Sequence, residues 1–315
     1  MTPDCRKEIV QLCGTDRGAI RTCLREKASQ LSEKCRADIR ERLGQRGGEE
    51  KMSRAAVGAT EMAYGDEPLQ KLDFWQAKSE RAPLVIFVHG GGWKRGDKRN
   101  ATGQYKASHY TGQGYAFASI NYRLVPDATV EQQAADVAAA VAYLRSNAKR
   151  LGIDSGRIVL MGHSAGAHLV ALLGTDQQYL REAGLRLSDL SGVIPLDGAA
   201  YDVPAQMAEG AKRMKDTYVQ AFGTDPARQK RLSPYWHASA PNAPAFLILH
   251  VEREDGARQS AALSETLRKN GTNVELRGFN GKGLMGHMEI NRKLGDPNYP
   301  ATSVVDAWLR QVFDT

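Results

Sequence analysis

Long apolar runs are missing from this chain of 315 residues. A helix that crosses a bilayer needs about 20 consecutive apolar residues, and no stretch of the sequence approaches that length. We therefore expect no membrane span. Hydrophobic residues still make up 42% of the chain, which is enough to fill the core of one large domain or two ordinary ones.

Sequence patterns for metal or nucleic-acid binding are missing too. The chain contains no HExxH, no CxxC and no close cluster of His and Asp, so we expect neither a metal site nor a cofactor. The net charge of +7 comes from Lys and Arg that are interleaved with Asp and Glu and lack accompanying aromatic residues. This pattern is typical of a solvated surface and predicts no nucleic-acid partner.

Cysteine is absent after residue 35, whereas the residues before that point include four: Cys5, Cys13, Cys23 and Cys35. This segregation predicts a small helical segment, residues 1–48, that is stapled by two disulfides. Four cysteines allow three pairings. Of these we expect Cys5–Cys35 and Cys13–Cys23, because the two bonds would tie a first helix over 3–13 to the two helices that follow.

Disulfides in a short segment indicate an oxidising compartment. The segment resembles the short cysteine-rich repeats of secretory-pathway and exported bacterial proteins, which suggests an interaction or dimerisation module. Its first residues, Met1-Thr2-Pro3-Asp4, lack the apolar core of a signal peptide. Because of the disulfides we expect a secreted or periplasmic protein, whose signal peptide is not part of this sequence. A polar, glycine-rich linker over 44–51 then leads to a second domain, residues 55–315.

The motif G-x-S-x-G lies at residues 162–166, with Ser164 at its centre. A β-branched run precedes it, and a stretch of helix-forming residues follows it. Strand, sharp turn and helix form the context in which this motif becomes a nucleophile elbow, with the serine Oγ raised above the sheet. The motif therefore predicts a nucleophilic serine.

A second motif supports this interpretation. The buried-strand run from Leu84 to Val88 ends in His89-Gly90-Gly91-Gly92, about 70 residues before Ser164. Consecutive glycines expose backbone N–H groups that can approach a ligand closely, which an acyl-transfer enzyme needs where the oxyanion develops. We expect the N–H groups of Gly91, Gly92 and Ala165 to form this oxyanion hole.

With these motifs the chain resembles the α/β-hydrolases of the small carboxylesterase and lipase kind. The matching pieces lie in the order of that family between about residue 65 and the C-terminus: His89 to Trp93, Asn121-Tyr122-Arg123-Leu124, Gly162 to Gly166, and Gly286-His287-Met288. The resemblance implies a serine carboxylesterase that acts on small or short-acyl esters through an acyl-enzyme. An amidase or peptidase, or a non-catalytic binding protein of the same fold, is the alternative.

Alternating patterns predict an α/β fold with a mainly parallel sheet and helices on both faces. Nearly fifty residues without a clear strand follow Leu196, and we expect them to form a small helical cap over about 200–240. The strand-like runs are 71–75, 84–88, 115–121, 158–161, 192–196, 245–251 and 274–278, and the helix-like ones are 101–113, 130–150, 164–174, 257–270 and 302–313.

A nucleophilic serine needs a histidine base and a carboxylate that orients the base. In the family that this chain resembles the order is Ser, acid, His, which implies His287 as the base, in a loop over 281–287. The acid is expected in the loop after the strand 245–251, with Asp255 first and Glu252 second. Asp197, at the end of the preceding strand, is a third candidate.

Trp93 follows the glycine triplet directly. Two interpretations of its side chain are equally compatible with the sequence. It lines the substrate pocket as a binding residue, or it packs beneath the loop as an ordinary part-buried tryptophan.

Overall fold

The computed structural model describes residues 3–14, 23, 27, 30–38, 57–209, 214–239 and 241–314. The contacts within the chain divide it into two compact units, Met1–Arg54 and Ala55–Thr315. In the described part of the chain, no helix is both long and apolar enough to cross a membrane.

The first unit contains the helix α1 (Pro3–Cys13) and a helical stretch over 33–38. Two disulfides join Cys5 to Cys35 and Cys13 to Cys23, which confirms the predicted pairing. Ile9 and Leu31 pack against the first of these bonds and are buried with it. This core is small, so the covalent bonds compensate for the little apolar surface it buries. Most of the predicted middle helix, the continuation of the third helix beyond residue 38, and the linker over 44–51 lie outside the described residues.

The second unit is built on an eight-stranded sheet, in the spatial order β1-β2-β4-β3-β5-β6-β7-β8. Its first two strands run antiparallel to their neighbours and all later pairings are parallel. The predicted mainly parallel sheet is therefore confirmed. The strands are β1 (Thr60–Ala63), β2 (Lys71–Trp75), β3 (Ala82–Val88), β4 (Ala116–Ile120), β5 (Ile153–His163), β6 (Gly192–Leu196), β7 (Ala245–Glu252) and β8 (Asn273–Lys282).

The strand β3 shows how the sheet is buried. All seven of its residues are buried, and they divide alternately between two apolar clusters. Leu84, Ile86 and Val88 belong to one cluster, whereas Val85 and Phe87 belong to the other. Successive side chains of a strand point to opposite faces of the sheet, so a hydrophobic core covers each face, as a parallel sheet requires.

Helices cover both faces and the carboxyl edge of the sheet. The predicted cap is present as four short helices after β6, from Val203 to His237. In chain order the helices of the unit are α2 (Lys98–Thr102), α3 (Lys106–Gly112), α4 (Val130–Ser146), α5 (Ala148–Leu151), α6 (Ala165–Thr175), α7 (Gln177–Glu182), α8 (Val203–Glu209), α9 (Lys215–Phe222), α10 (Pro226–Arg231), α11 (Pro234–His237), α12 (Glu254–Lys269), α13 (Gly283–Lys293) and α14 (Pro300–Phe313).

The sequence patterns did not predict the strand β1 or the helices α7 and α13. The strand β1 has only four residues, of which three are exposed and one is half-buried, so it lacks the buried apolar run of the inner strands. The helix α13 begins at Gly283, inside the segment that was expected to be a loop over 281–287. Its glycines and its mixed polarity conceal the helical pattern.

Candidate active site

Ser164 occupies a strained turn between β5 and α6. Its backbone lies at φ 58° and ψ −117°, a positive-φ conformation outside the αL region that costs free energy for a residue with a side chain. Gly166 makes this turn possible, because a Cβ at that position would collide with the carbonyl oxygen of Val88. The Ser164 N–H donates to the carbonyl of Leu196 at 3.1 Å. The predicted elbow therefore has the geometry that presents Oγ above the sheet.

His287 lies within hydrogen-bond distance of this serine. Its Nε2 is 3.0 Å from Ser164 Oγ, and its side chain is buried. The residue lies in the second turn of α13 rather than in a loop, so that part of the prediction was wrong. The strand β8 ends at Lys282, and the helix that follows at once carries His287 back over the carboxyl edge of the sheet.

The carboxylate at His287 belongs to Asp197. Its Oδ2 is 2.5 Å from His287 Nδ1, and its Oδ1 accepts a hydrogen bond from the N–H of Val251 at 3.0 Å. Asp197 directly follows β6 just as Ser164 directly follows β5. Because His163 and Leu196 are register partners in the parallel pair, the residues after them emerge side by side.

Asp255 and Glu252 do not contact His287, which corrects the prediction of the acid. The helix α12 begins at Glu254, so Asp255 lies in its first turn. Its Oδ2 accepts a hydrogen bond from Gln206 Nε2 at 3.2 Å. Glu252 is the exposed last residue of β7. The third candidate of the sequence analysis, Asp197, is the one that the structure brings to the histidine.

The charge state of Asp197 follows from its surroundings. Burial by itself would raise the pKa of this carboxyl, but the hydrogen bond from His287 and the charge of Arg253 outweigh burial, so the pKa lies below its usual value. Arg253 Nε is 3.5 Å from Asp197 Oδ2. The ionised carboxylate accepts the Nδ1–H of His287, which leaves an unprotonated Nε2 facing the Ser164 hydroxyl.

The glycine loop lies directly against the serine. A Cβ placed on Gly90 would come within 2.9 Å of the Ser164 Cβ. Gly91 has a φ of 135°, and a Cβ there would collide with the backbone of Arg95, so only glycine fits. Ala165 begins α6, and the first N–H groups of a helix have no partner within the helix. Backbone donors from both segments are thus available beside Oγ.

The Trp93 side chain is only 1% exposed. Its indole packs edge-on against Phe222 of the cap, with ring centroids 4.7 Å apart, and its Nε1 donates to His168 Nδ1 at 3.3 Å. The residue also lines the cleft that contains Ser164. The packing interpretation therefore describes nearly all of its side chain.

His163 is a residue of the site that the sequence analysis left without a role. Its Nε2 donates to the backbone carbonyl of His287 at 2.9 Å, and the two imidazole rings lie 4.4 Å apart. Burial holds the pKa of His163 well below its usual value. A neutral His163 therefore fastens the backbone of His287. Only its position next to Ser164 hinted at this contact.

The serine, the histidine and the glycine loop open into one cleft of about 880 Å³, whose lining also includes Met214 and Tyr218 of the cap. Within the described residues, no group of three His, Cys, Asp or Glu side chains is arranged to hold a metal ion. Chemically, the arrangement can activate a serine hydroxyl and stabilise an oxyanion next to it.

Comparisons with known proteins identify a family and several relatives. The model of the family described as BD-FAE matches residues 72–267, which is more than half of the chain. The esterase LipC of Mycobacterium tuberculosis is 33% identical over 214 residues, which cover 64% of this chain and 52% of LipC. The esterase LipQ of the same organism is 32% identical over 237 residues, or 69% of this chain and 54% of LipQ. The chain thus matches about half the length of these curated relatives.

Among solved structures, esterase B from Lactobacillus rhamnosis has a similar fold. It superposes with a TM-score of 0.68 at 23% identity, covering 88% of this chain and 93% of esterase B. At that level of identity the similarity establishes the α/β-hydrolase fold alone.

Proposed function

The chain belongs to the BD-FAE family, and from that premise we propose that it is a serine-dependent carboxylic ester hydrolase. The observation that carries the proposal is the hydrogen-bonded series Asp197–His287–Ser164, with distances of 2.5 Å and 3.0 Å between the bonded atoms. The relatives LipC and LipQ are esterases by name, which supports the same reaction. We propose small or short-acyl esters as the substrates.

In the proposed reaction, His287 Nε2 takes the proton of Ser164 Oγ while Oγ attacks the ester carbonyl carbon. The carbonyl oxygen becomes an oxyanion, which accepts hydrogen bonds from the N–H groups of Gly91, Gly92 and Ala165. Protonated His287 then gives its proton to the leaving alcohol, and an acyl-enzyme remains. Water then takes the place of the alcohol. His287 accepts a proton from water while the resulting hydroxide attacks the acyl carbon, and His287 returns this proton to Ser164 Oγ as the serine leaves.

We also propose that the protein works in an oxidising compartment, either outside the cell or in the periplasm. The two disulfides of the first unit support this proposal, because such bonds persist where thiols are not kept reduced.

Replacing Ser164 by alanine tests the proposed nucleophile. We expect Ser164→Ala to lose ester hydrolysis by at least about 10⁴-fold in kcat, as measured with p-nitrophenyl acetate. A fluorophosphonate probe should form a covalent bond to Ser164 Oγ in the native enzyme, with loss of fluoride, and should not label the variant.

The matched control is Ser264→Ala, which removes another buried serine hydroxyl, one that lies on α12. It should be labelled and remain active. Turnover that persists in a correctly folded Ser164→Ala protein would exclude the serine mechanism.

A further inference from the structure

An apolar cluster lies exposed at the beginning of α13. Leu284, Met285 and Met288 are 55%, 76% and 50% exposed. Among the described residues of the second unit, only Val57 and Trp236 are comparably exposed large hydrophobic side chains. Single apolar residues on a surface need no explanation, but a contiguous exposed group often marks a binding site. All three residues lie within three positions of His287 in the sequence.

The three side chains differ in their relation to the cleft. Leu284 and Met288 line the same cleft as Ser164 and His287, whereas Met285 does not line it. On a helix, residues three and four apart share a face, so Leu284 and Met288 form one edge of the opening. We call these two side chains the α13 edge. Met285 is the matching residue on the same helix outside the cleft.

The chemistry of the site indicates which part of an ester would reach the α13 edge. The carbonyl oxygen faces the N–H groups of the glycine loop and of Ala165, because they stabilise the oxyanion. The alkoxy oxygen must face His287 Nε2, because this nitrogen protonates the leaving alcohol. Leu284 and Met288 lie three residues before and one residue after His287 on the same helix. This orientation would bring the alcohol portion of the ester toward α13 and its edge.

We propose that the α13 edge is an alcohol-binding subsite, and that the enzyme prefers esters of apolar alkyl or aryl alcohols to esters of small or charged alcohols. The inference rests on the proposed esterase function and goes beyond it by assigning the chemical class of the leaving group. A methionine suits such a site, because its flexible thioether adapts to alcohols of different shape. The cleft of about 880 Å³ has room for an extended ester.

The test compares two series of esters. Methyl acetate, butyl acetate and hexyl acetate vary the alcohol. Methyl acetate, methyl butanoate and methyl hexanoate vary the acyl group. For the native enzyme we expect kcat/KM to rise by about two- to fourfold for each added methylene of the alcohol that packs on the α13 edge. In Leu284→Asn/Met288→Gln, the dependence on alcohol length should flatten, while the dependence on acyl length should stay as in the native enzyme.

Met285→Gln is the control, since it makes the same exchange on the same helix outside the cleft. It should retain the native dependence on both lengths. The two single variants, Leu284→Asn and Met288→Gln, each remove part of the alcohol dependence and provide a second measurement if the double variant does not fold.

The possible outcomes separate the two proposals. A native enzyme that hydrolyses none of these esters and resists the fluorophosphonate probe would contradict the esterase function itself. Active native enzyme with no alcohol-length dependence, an unchanged dependence in the double variant, or an equal loss in Met285→Gln would overturn the alcohol subsite alone. Rates that rise only above the solubility limit of the ester would also overturn it, in favour of binding to a lipid surface.

Discussion

Asp197 shows how much a single residue of this site depends on its neighbours. The carboxylate is fully buried, and a buried charge is costly unless it is paired and hydrogen-bonded. Val251 N–H, His287 Nδ1 and the Arg253 guanidinium supply those partners. Arg253 is itself anchored, since its Nη2 donates to the carbonyl of Gly198 at 2.8 Å. The acid is thus held by two separate segments of the chain, the end of β7 with Arg253 and the helix α13.

A pair of conservative substitutions tests this assignment. Asp197→Asn keeps the size of the side chain but removes the charge that selects the reactive tautomer of His287. We expect kcat to fall by about 10²- to 10⁴-fold with little change in KM, as measured by steady-state hydrolysis of p-nitrophenyl acetate. Asp255→Asn, the matched control from the neighbouring segment, should stay within about threefold of the native kcat. The opposite pattern would return the role of the acid to Asp255.

At the scale of the elements, the helix α13 connects the site to the rest of the fold. It carries His287, the α13 edge and Asn291, and it is fastened from below by Lys106, the first residue of α3. The Lys106 ammonium donates to the backbone carbonyl of Asn291 and, at 3.2 Å, to that of Thr102. It also lies 4.9 Å from the centre of the Phe87 ring. A buried lysine with these partners couples the position of α13 to the protonation of one amine.

That amine predicts a dependence of stability on pH. Burial lowers the pKa of Lys106 to about 7, whereas an unfolded lysine titrates near 10.4. Below about pH 7 the Lys106 amine is protonated in both the folded and the unfolded protein, so folding buries a charged group. Between about pH 7 and pH 10 the unfolded state binds more protons, so native stability rises relative to Lys106→Met by up to about 1.4 kcal/mol per pH unit.

Urea unfolding of both proteins across this range measures the difference, and titrations common to the two proteins cancel. Lys106→Met also removes hydrogen bonds to two carbonyls, so its absolute stability carries no information on the pKa. Parallel stability curves for the two proteins would show that Lys106 titrates normally in the folded state.

At the scale of the whole molecule, the chain combines two units that are stabilised in different ways. Ala55–Thr315 has apolar clusters on both faces of a large sheet, whereas the core described for Met1–Arg54 consists of a few side chains around a disulfide. All the residues of the proposed site belong to the larger unit. That the smaller unit is an interaction module stays a prediction.

The oxidation state of the cysteines tests the proposed oxidising compartment. Protein isolated with its thiols protected and then denatured without a reductant should contain no free thiol, because all four cysteines are paired. Titration with a thiol-reactive dye measures this, and the reduced protein, with four reactive thiols, is the control. Four free thiols in the unreduced sample would contradict the proposal of a secreted or periplasmic protein.

Features that depend on neighbouring residues could be predicted without the structure. The elbow at Ser164 needs small residues within two positions of the serine, and the buried strands are continuous apolar runs. Both signals are local, so the fold class could be predicted, and Ser164 could be named as the candidate nucleophile, from the residues and the family resemblance. The disulfide pairing was predictable as well, since four cysteines on short helices leave few choices.

Which carboxylate contacts His287 depends on the tertiary structure. Three acidic residues lie within four positions at the end of β7 and the beginning of α12, namely Glu252, Glu254 and Asp255, and no local pattern separates them from Asp197. The register between β5 and β6 places Asp197 beside Ser164, and the hydrogen bond with His287 together with the charge of Arg253 lowers the pKa of Asp197 despite its burial. The hydrogen bonds of His163 and Lys106 to the backbone of α13 were not predictable either, because they join residues more than a hundred positions apart in the chain. Contacts at such separations depend on how strands and helices pack, and packing is a property of the folded chain rather than of any short stretch of it.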